Sequence, residues 1–453
     1  AGARRAVAEL HAQRLRAGRE RAEPHRLRAL ARRLHVDDNI LVARVPVPAG
    51  TPLAENGAQS SDSTREPIEL GHKVASCRIE PGQPVRKYGQ VIGFATEAIE
   101  SGEWVHTHNL EPGSLDLDYA FASEVPDEPE RIEGRMFEGY RRNDGRVGTR
   151  NYLGIISTVN CSATASKYVA REFDDTLLEE FPNVDGVVPL VHKGGCAMQY
   201  GGEDHQQLAR TMAGFARHPN IGGYLVLGLG CETGQGSFLA DRHDLVQLSM
   251  PDETSEPLPL VMNIQDEGGI RKTVDRAVGV LKEMLPQVNA MQRTPVPVAE
   301  LILGTECGGS DGNSGVTANP AVGIASDLLV AHGGTSILGE TPEIYGGEHL
   351  LTRRAVNREV GEKLIDLIRW WKEYAGKFGA EIDNNPSVGN KLGGLTTIYE
   401  KSLGAIAKGG STALKDVYRY AETVSTSGFV VMDTPGYDPA SITGMVAGGA
   451  NVL

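Results

Sequence analysis

Cysteine is scarce, five residues in a chain of 453, which is too few to staple a fold and odd in number, so any disulfide scheme leaves a thiol over. Reduced thiols in a cytoplasmic protein are the expectation. No apolar run reaches the ~20 residues that span a bilayer, and no apolar core of a secretory leader opens the chain, so no membrane partner is expected. Positive charge is not in excess: 45 Lys and Arg face 59 Asp and Glu, a net −14, which makes nucleic acid a poor partner. Nucleotide signatures are missing too. GLGCETGQG (228–236) starts like a dinucleotide loop but has Thr233 where a third Gly belongs, and no Gly-Lys-Ser/Thr occurs, so neither NAD nor ATP is expected.

What is present divides the chain. Residues 1–34 form a basic extension; ten Arg against three Glu over 1–35 give +7 and leave −21 for the rest. From 35 to 110 short β-rich pieces alternate with Gly turns, and one unit recurs as IEPGQPV (79–85), IESGEWV (99–105) and, more loosely, VPAGTPL (47–53), which predicts hairpin-like turns in a small β domain. Residues 111–136 are rich in Pro and acidic residues and read as a linker. Over 137–291 apolar runs at 152–159, 186–191, 222–228 and 259–264 alternate with helical patterns, including one at 268–285 with Ile270, Val274, Val278, Leu281 and Leu285 inward. After a Pro-containing stretch (292–300), runs at 301–305, 335–339 and 428–432, with a helix near 356–374, repeat the pattern over 298–453. The fold class is therefore α/β and multidomain: a small β domain, then two Rossmann-like domains with mostly parallel sheets. The final GGANVL reads as a turn opening a strand, so further chain is expected beyond it.

Open parallel sheets bind ligands beyond the carboxyl ends of their strands. There the sequence sets Asn160-Cys161, His192 and Cys196, Cys231-Glu232, Glu306-Cys307, Glu340 and Asp433. The stretch GTECGGSDGNSGVTANP (304–320) combines five Gly with many polar side chains and could wrap a polyhydroxylated anion. In VHTHN (105–109), His106 and His108 would share one face of a strand and, with His72, could ligate Fe, Mn or Zn, unless they are plain surface histidines.

Several stretches resemble one family. GHKVA (71–75), KYGQVIG (87–93) and VHTHN resemble the small N-terminal SAF, or β-clip, domain of altronate dehydratase. FEGYRRNDGRVGTRN (137–151), GLGCE, CGGSDGNSGVTANP, GETPE (339–343), NPSVGNKLGGLTT (385–397) and EKSLG (400–404) resemble the catalytic segments of altronate and galactarate dehydratases, so the chain is identified as a member of that family over about 35–453. It departs at Val388, where the family usually has Pro, and at GGCAMQ (194–199); the family also continues past the equivalent of Leu453.

The resemblance implies a hydro-lyase that turns a hexonate or hexarate into a 2-keto-3-deoxy acid with Fe(II), or Mn(II) in its place. Such chemistry needs a base, a holder for the enediolate charge, and an acid or metal for the leaving hydroxyl. Under this reading Glu232, Asp311, Glu340 and Lys401 are catalytic candidates, and Lys73, Asn160, Ser310, Asn319, Asn390 and Lys391 are substrate contacts. The metal set is His72, His106 and His108, with Cys161, Cys196, Cys231 and Cys307 competing as thiolates and an iron–sulfur cluster still open. A sulfo-lyase acting on sulfolactate-like acids and a non-catalytic sugar-acid binding protein are the alternatives. A homo-oligomer is compatible with all three.

Overall fold

Gly50, Gly82 and Gly102, the glycines of the three recurring turns, all take positive φ, 75°, 77° and 86°. At Gly102 a side chain would also collide with the Ser63 carbonyl, 2.0 Å from where a Cβ would stand. The computed structural model describes residues 30–55, 58–115, 117–234, 236, 239 and 261–453, and the basic extension falls outside these up to residue 29. The turns return short antiparallel strands: β1 (Ala31–Arg32), β2 (Ile40–Ala43), β3 (Pro52–Glu55), β4 (Ala58–Ser63), β5 (Lys73–Ala75), β6 (Pro84–Lys87), β7 (Gln90–Ala95), β8 (Trp104–Val105) and β9 (Leu110–Glu111). They build sheets of order β1-β2-β5-β8, β6-β7-β9 and β3-β4. The first residues of the two closest repeats, Ile79 and Ile99, pair with each other. Leu41, Val47, Leu53, Ile68 and Val74 form one core beneath them.

This β module belongs to a compact unit that also takes Gly309–Thr317 and Asp383–Lys401; a second unit takes Asp116–Gly308, Ala318–Ile382 and Ser402–Leu453. The units interleave along the chain, so no single residue divides them.

The second unit opens with an irregular strap. Residues 117–135 contain no helix or strand, yet Ala122, Glu124 and Ile132 donate backbone bonds to Thr352, Arg353 and Ala331 (3.0, 2.9 and 2.9 Å). Next come β10 (Met136–Arg141), β11 (Val147–Gly148) and β12 (Tyr152–Ser157), then helix α1 (Asn160–Arg171), β13 (Gly186–Leu190), α2 (Glu203–Ala216), β14 (Ile221–Gly228), β15 (Val261–Asn263) and α3 (Ile270–Asn289). Strands β13-β12-β14-β15 form a wholly parallel sheet. Alternation sorts its two faces: Leu153, Ile155, Leu225 and Leu227 pack on α1 and α3, while Ile156, Tyr224 and Val226 pack on α2. The inward stripe of α3 is Thr273, Ala277, Leu281, Met284, Leu285 and Val288, and Ile270, expected inside, is 51% exposed. Each Leu or Val so buried contributes roughly 1.5–3 kcal/mol.

The Pro-containing stretch before the second half is not plain linker: β16 (Thr294–Pro297) pairs with β10 as an edge strand, where prolines are tolerated. Strands β17 (Ile302–Thr305), β18 (Thr335–Leu338), β19 (Leu414–Tyr418) and β20 (Gly428–Met432) then form a second parallel sheet of order β17-β18-β20-β19. Helices α4 (Ala318–Ala331), α5 (Arg358–Lys377), α6 (Ile398–Ala407) and α7 (Asp438–Ala447) complete this half, and Val452 adds one parallel bridge to Leu303.

Candidate functional site

The carboxyl ends of β17, β18 and β20 bring Glu306-Cys307, Glu340 and Asp433-Thr434 to one edge of the second sheet. Glu340 stands out because it is buried and left-handed (φ 63°, ψ 55°) without being glycine, a conformation that costs of order 1–3 kcal/mol. Its neighbours impose that shape. The Glu340 N–H bonds the Thr434 hydroxyl (2.6 Å), and the next amide, Thr341 N–H, bonds the Thr434 carbonyl (2.9 Å). Its Oε2 accepts from the Cys307 amide (2.8 Å) and from the buried ammonium of Lys408 (3.0 Å). Burial pushes the carboxyl up to about 6 against the pull of Lys408, with Glu343 adding to the rise. Burial likewise raises Glu306 and Asp433; Asp433 Oδ1 accepts from the Thr341 hydroxyl and the Trp371 indole, both at 2.8 Å. A strained, buried carboxylate that can shed or accept a proton near neutrality beside one lysine is suited to general acid–base work.

The other expected catalytic groups sit elsewhere. Glu232 is buried after β14, and its carboxylate accepts from the Thr158 hydroxyl (2.6 Å) and the amides of Gly230 (2.7 Å) and Leu229 (3.1 Å). Burial would raise it, but these three donors outweigh burial and hold it below the ordinary value, so it braces the loop as a satisfied anion. In the first unit, Asp311 Oδ1 accepts the amides of Asn313 and Ser314 and so shapes its own loop. Asn390 forms a capping box with Ser387 at the short helix Val388–Leu392 and donates to the Ser310 carbonyl (2.8 Å), and Lys391 contributes its carbonyl to His106 (2.8 Å). Val388 begins that helix with its side chain 77% exposed. Lys401 bonds Asn385 Oδ1 (3.0 Å). In the second unit Asn319 donates to the Gly404 carbonyl (2.9 Å).

The Gly-rich loop was expected to cradle an anion, but part of its glycine content is used for backbone packing. A Cβ at Gly312 would lie 2.2 Å from the Gly71 carbonyl, and one at Gly394 would lie 2.7 Å from the same atom.

Lys73, expected at substrate, is instead enclosed in the first unit. Its ammonium bonds Gly394 O (2.6 Å) and both Glu400 oxygens (3.0 and 2.8 Å), and Lys87 bonds Glu400 Oε1 (2.8 Å). All three side chains are at most 1% exposed. One carboxylate cannot compensate two ammoniums equally. Burial takes Lys73 down to about 8; burial also pulls at Lys87, but Glu400 and then Tyr88 carry it above the lysine range. Burial pushes Glu400 up, and the two lysines together hold it far below the carboxylate range. Lys87 was missed, although its inward register on β6 (on the same face as Val85) was the available signal.

The histidines do not form the expected strand-borne ligand set. β8 ends at Val105, and His106 to Asn109 turn the chain, closed by Asn109 bonds to the His106 amide and the Trp104 carbonyl (both 2.9 Å). His72 Nδ1 accepts from the Trp104 indole (3.0 Å), so Nε2 carries the proton and donates to Leu392 O (3.1 Å). His106 Nε2 donates to Lys391 O, and its Nδ1 meets the Thr107 hydroxyl (3.1 Å). Burial lowers both rings, His106 to about 4, so both are neutral pins with no nitrogen lone pair left for a metal. His108 is exposed against Trp104 (ring centroids 5.2 Å apart). The double variant His72→Ala, His106→Ala is therefore expected to leave bound metal unchanged while lowering the unfolding midpoint, because two buried carbonyls lose donors at roughly 1–3 kcal/mol each. Metal analysis beside thermal melting checks it; lost metal at unchanged stability would restore the ligand reading.

The four candidate thiols divide between the two parallel sheets, and Cys77 lies in the first unit. Cys307 lies with Glu340. Cys161, Cys196 and Cys231 follow β12, β13 and β14, with Cys196 and Cys231 within hydrogen-bonding reach. Desolvation first, then the Cys231 and Cys161 thiols, push the Cys196 thiol above its ordinary value. Among the described residues, no three His, Cys, Asp or Glu side chains gather round a common point as they would for a single ion. Thiols nonetheless suit iron chemically in a way the spent imidazoles do not.

Three family models match in order: the altronate/galactarate dehydratase SAF domain over 30–113, the D-galactarate dehydratase/altronate hydrolase second domain over 139–289, and the D-galactarate/altronate dehydratase C-terminal domain over 298–453. An altronate dehydratase of Bacillus subtilis is 35% identical over 423 residues, 93% of this chain and 82% of that protein. A galactarate dehydratase (L-threo-forming) of Escherichia coli is 39% identical over 422 residues, 92% and 78% of the two chains. The beta subunit of a (2R)-sulfolactate sulfo-lyase from Chromohalobacter salexigens is 33% identical over 321 residues, 70% and 76%.

Proposed function

Because this chain belongs to the altronate and galactarate dehydratase family, we propose that it is a hydro-lyase removing water from an aldonate or aldarate, such as altronate or galactarate, to leave a 2-keto-3-deoxy acid. The relatives' names support the reaction class. The observation that carries a place for it is Glu340, a buried carboxylate whose affinity for a proton is raised to about 6 beside Lys408. In this reading Glu340 takes the proton from the carbon next to the substrate carboxylate, and Lys408 positions it and keeps its ionised form accessible. Glu306, its carboxyl raised by burial, is the candidate acid that gives a proton to the hydroxyl leaving the adjacent carbon. Water departs, and the enol tautomerises to the 2-keto acid. An iron centre, when bound, would polarise that hydroxyl.

The test is a panel of aldonic and aldaric acids given to the anaerobically iron-loaded chain, with 2-keto-3-deoxy product and free sulfite both measured. Product from a sugar acid is expected. Sulfite released from sulfolactate, with every sugar acid untouched, would replace this reading with the sulfo-lyase one.

A further inference from the structure

Helix α5 carries a ladder of aromatic rings on the outside of the second unit. Trp370, Tyr374 and Phe378 recur every four residues, the spacing that sets side chains above one another on one side of a helix. The Trp370 and Tyr374 rings lie within 10° of parallel with centroids 4.8 Å apart, and Tyr374 meets Phe378 at 5.2 Å. Yet the three are 45%, 39% and 72% exposed. Other residues hold the helix in place: Val360, Leu364, Ile365 and Ile368 are buried, and Trp371 turns inward to donate to Asp433 (2.8 Å). A run of exposed rings on an anchored helix marks a contact surface, and Trp and Tyr are the side chains that anchor such contacts.

The charges at the two ends of the ladder say what it contacts. One turn before Trp370 the stripe begins with Asp366, and it ends with Lys377 beside Phe378; both are exposed. A chain of net charge −14 repels its own copies over most of its surface, so two copies settle only where local charges answer each other. A stripe that reads acid, aromatic, aromatic, base answers itself when reversed. We propose that α5 is the seam of a symmetric dimer, in which a second copy of this chain lays its own α5 antiparallel along the ladder. Trp370 then lies on the partner's Tyr374 and Asp366 faces the partner's Lys377, each contact made twice about the two-fold axis. Asp366 already accepts from Arg369 of its own helix through Oδ1 (3.1 Å), but an exposed pair of that kind is worth little and yields readily. At roughly 200 Å² per ring, the exposed parts of the three rings come to about 300 Å² on each copy, or about 600 Å² in all. That is half of the ~1,200 Å² at which stable interfaces begin, so the flanking turns must contribute and the dimer exchanges at micromolar concentration. The dimer rests on this surface and not on the dehydratase reading.

Sedimentation velocity of the full chain, from about 1 to about 200 μM, reads the association directly. The mean mass should climb from one chain towards two across that range. Trp370→Ala should weaken association at least about tenfold, with thermal melting confirming that the variant is folded. Asp366→Lys and Lys377→Glu should each weaken it about fivefold, because each sets like charges face to face at both ends of the seam. Combined in one chain, the two reversals should bring association back to within about twofold of wild type, since they restore opposite charges across the copies. Should Trp370→Ala misfold, the charge reversals decide, both being at exposed positions. A monomer at every concentration overturns the proposal. So does a dimer indifferent to Trp370→Ala, which joins elsewhere, or a double reversal no better than its parents, which means the helices do not run antiparallel.

Discussion

Glu400→Gln is expected to destabilise the first unit by about 3–5 kcal/mol, because it leaves two ammoniums buried with no charge to answer them. Denaturant unfolding followed by the fluorescence of Trp104, which stacks on His106 in that unit, measures it. The pH dependence has a defined sign. Glu400 is held below the usual carboxylate range, so its contribution is present above that range and is lost as acid protonates it in the fold. Lys73 is lowered to about 8, so burying its charge costs stability below that pH and the cost fades above it. Glu400 raises Lys73, so without it the lysine sheds its proton at lower pH than in the wild type, and the deficit of Glu400→Gln should shrink as the pH is raised towards about 8. Replacing all three groups with apolar residues of similar volume should recover most of the loss, since swapping a whole buried ionic set is often neutral. A Glu400→Gln variant within about 0.5 kcal/mol of wild type at neutral pH would mean that the three side chains are hydrated in solution.

The second large effect is on turnover. Glu340→Gln is expected to lower kcat by roughly 10²–10⁴, the usual worth of a positioned base, while its amide oxygen still accepts the Lys408 and Cys307 bonds and keeps the local fold. In the wild type the carboxylate must be ionised to act, so kcat/KM should rise with pH through about 6. Lys408 is the neighbour that lowers this carboxyl, so Lys408→Met should move the acid limb to higher pH. A Glu340→Gln variant within about tenfold of wild type, or an acid limb unmoved in Lys408→Met, would take the base assignment away from Glu340.

How far the sequence could be read depends on the range of the forces involved. Apolar runs such as 222–228 and 428–432 became fully buried strands because alternation and composition act locally, and the Gly82 and Gly102 turns were legible for the same reason. The strand reading of His106 and His108 failed because Asn109, whose side chain closes the turn, was given no weight. Ile270 keeps the apolar period of α3 but is the first residue of the helix and stays 51% exposed. Glu340 was named for following a strand and for the family-like GETPE stretch; its left-handed backbone is imposed by Thr434, 94 residues away in sequence. Lys87 and Lys408 escaped notice because a buried lysine is recognisable only from its distant carboxylate, Glu400 or Glu340.

The partnership of Lys87 and Glu400 spans 313 residues of chain. A ribosome adding about 5–20 residues per second needs roughly 15–65 s to go from one to the other. Until then the nascent β module carries two inward-facing lysines without their counter-charge and lacks the carbonyls its histidines pin. Its cooperative closure therefore comes late in synthesis, after most of the second unit has emerged. For that interval the earlier-made module waits on partners from later in the chain, Glu400 and the carbonyls of Lys391 and Leu392.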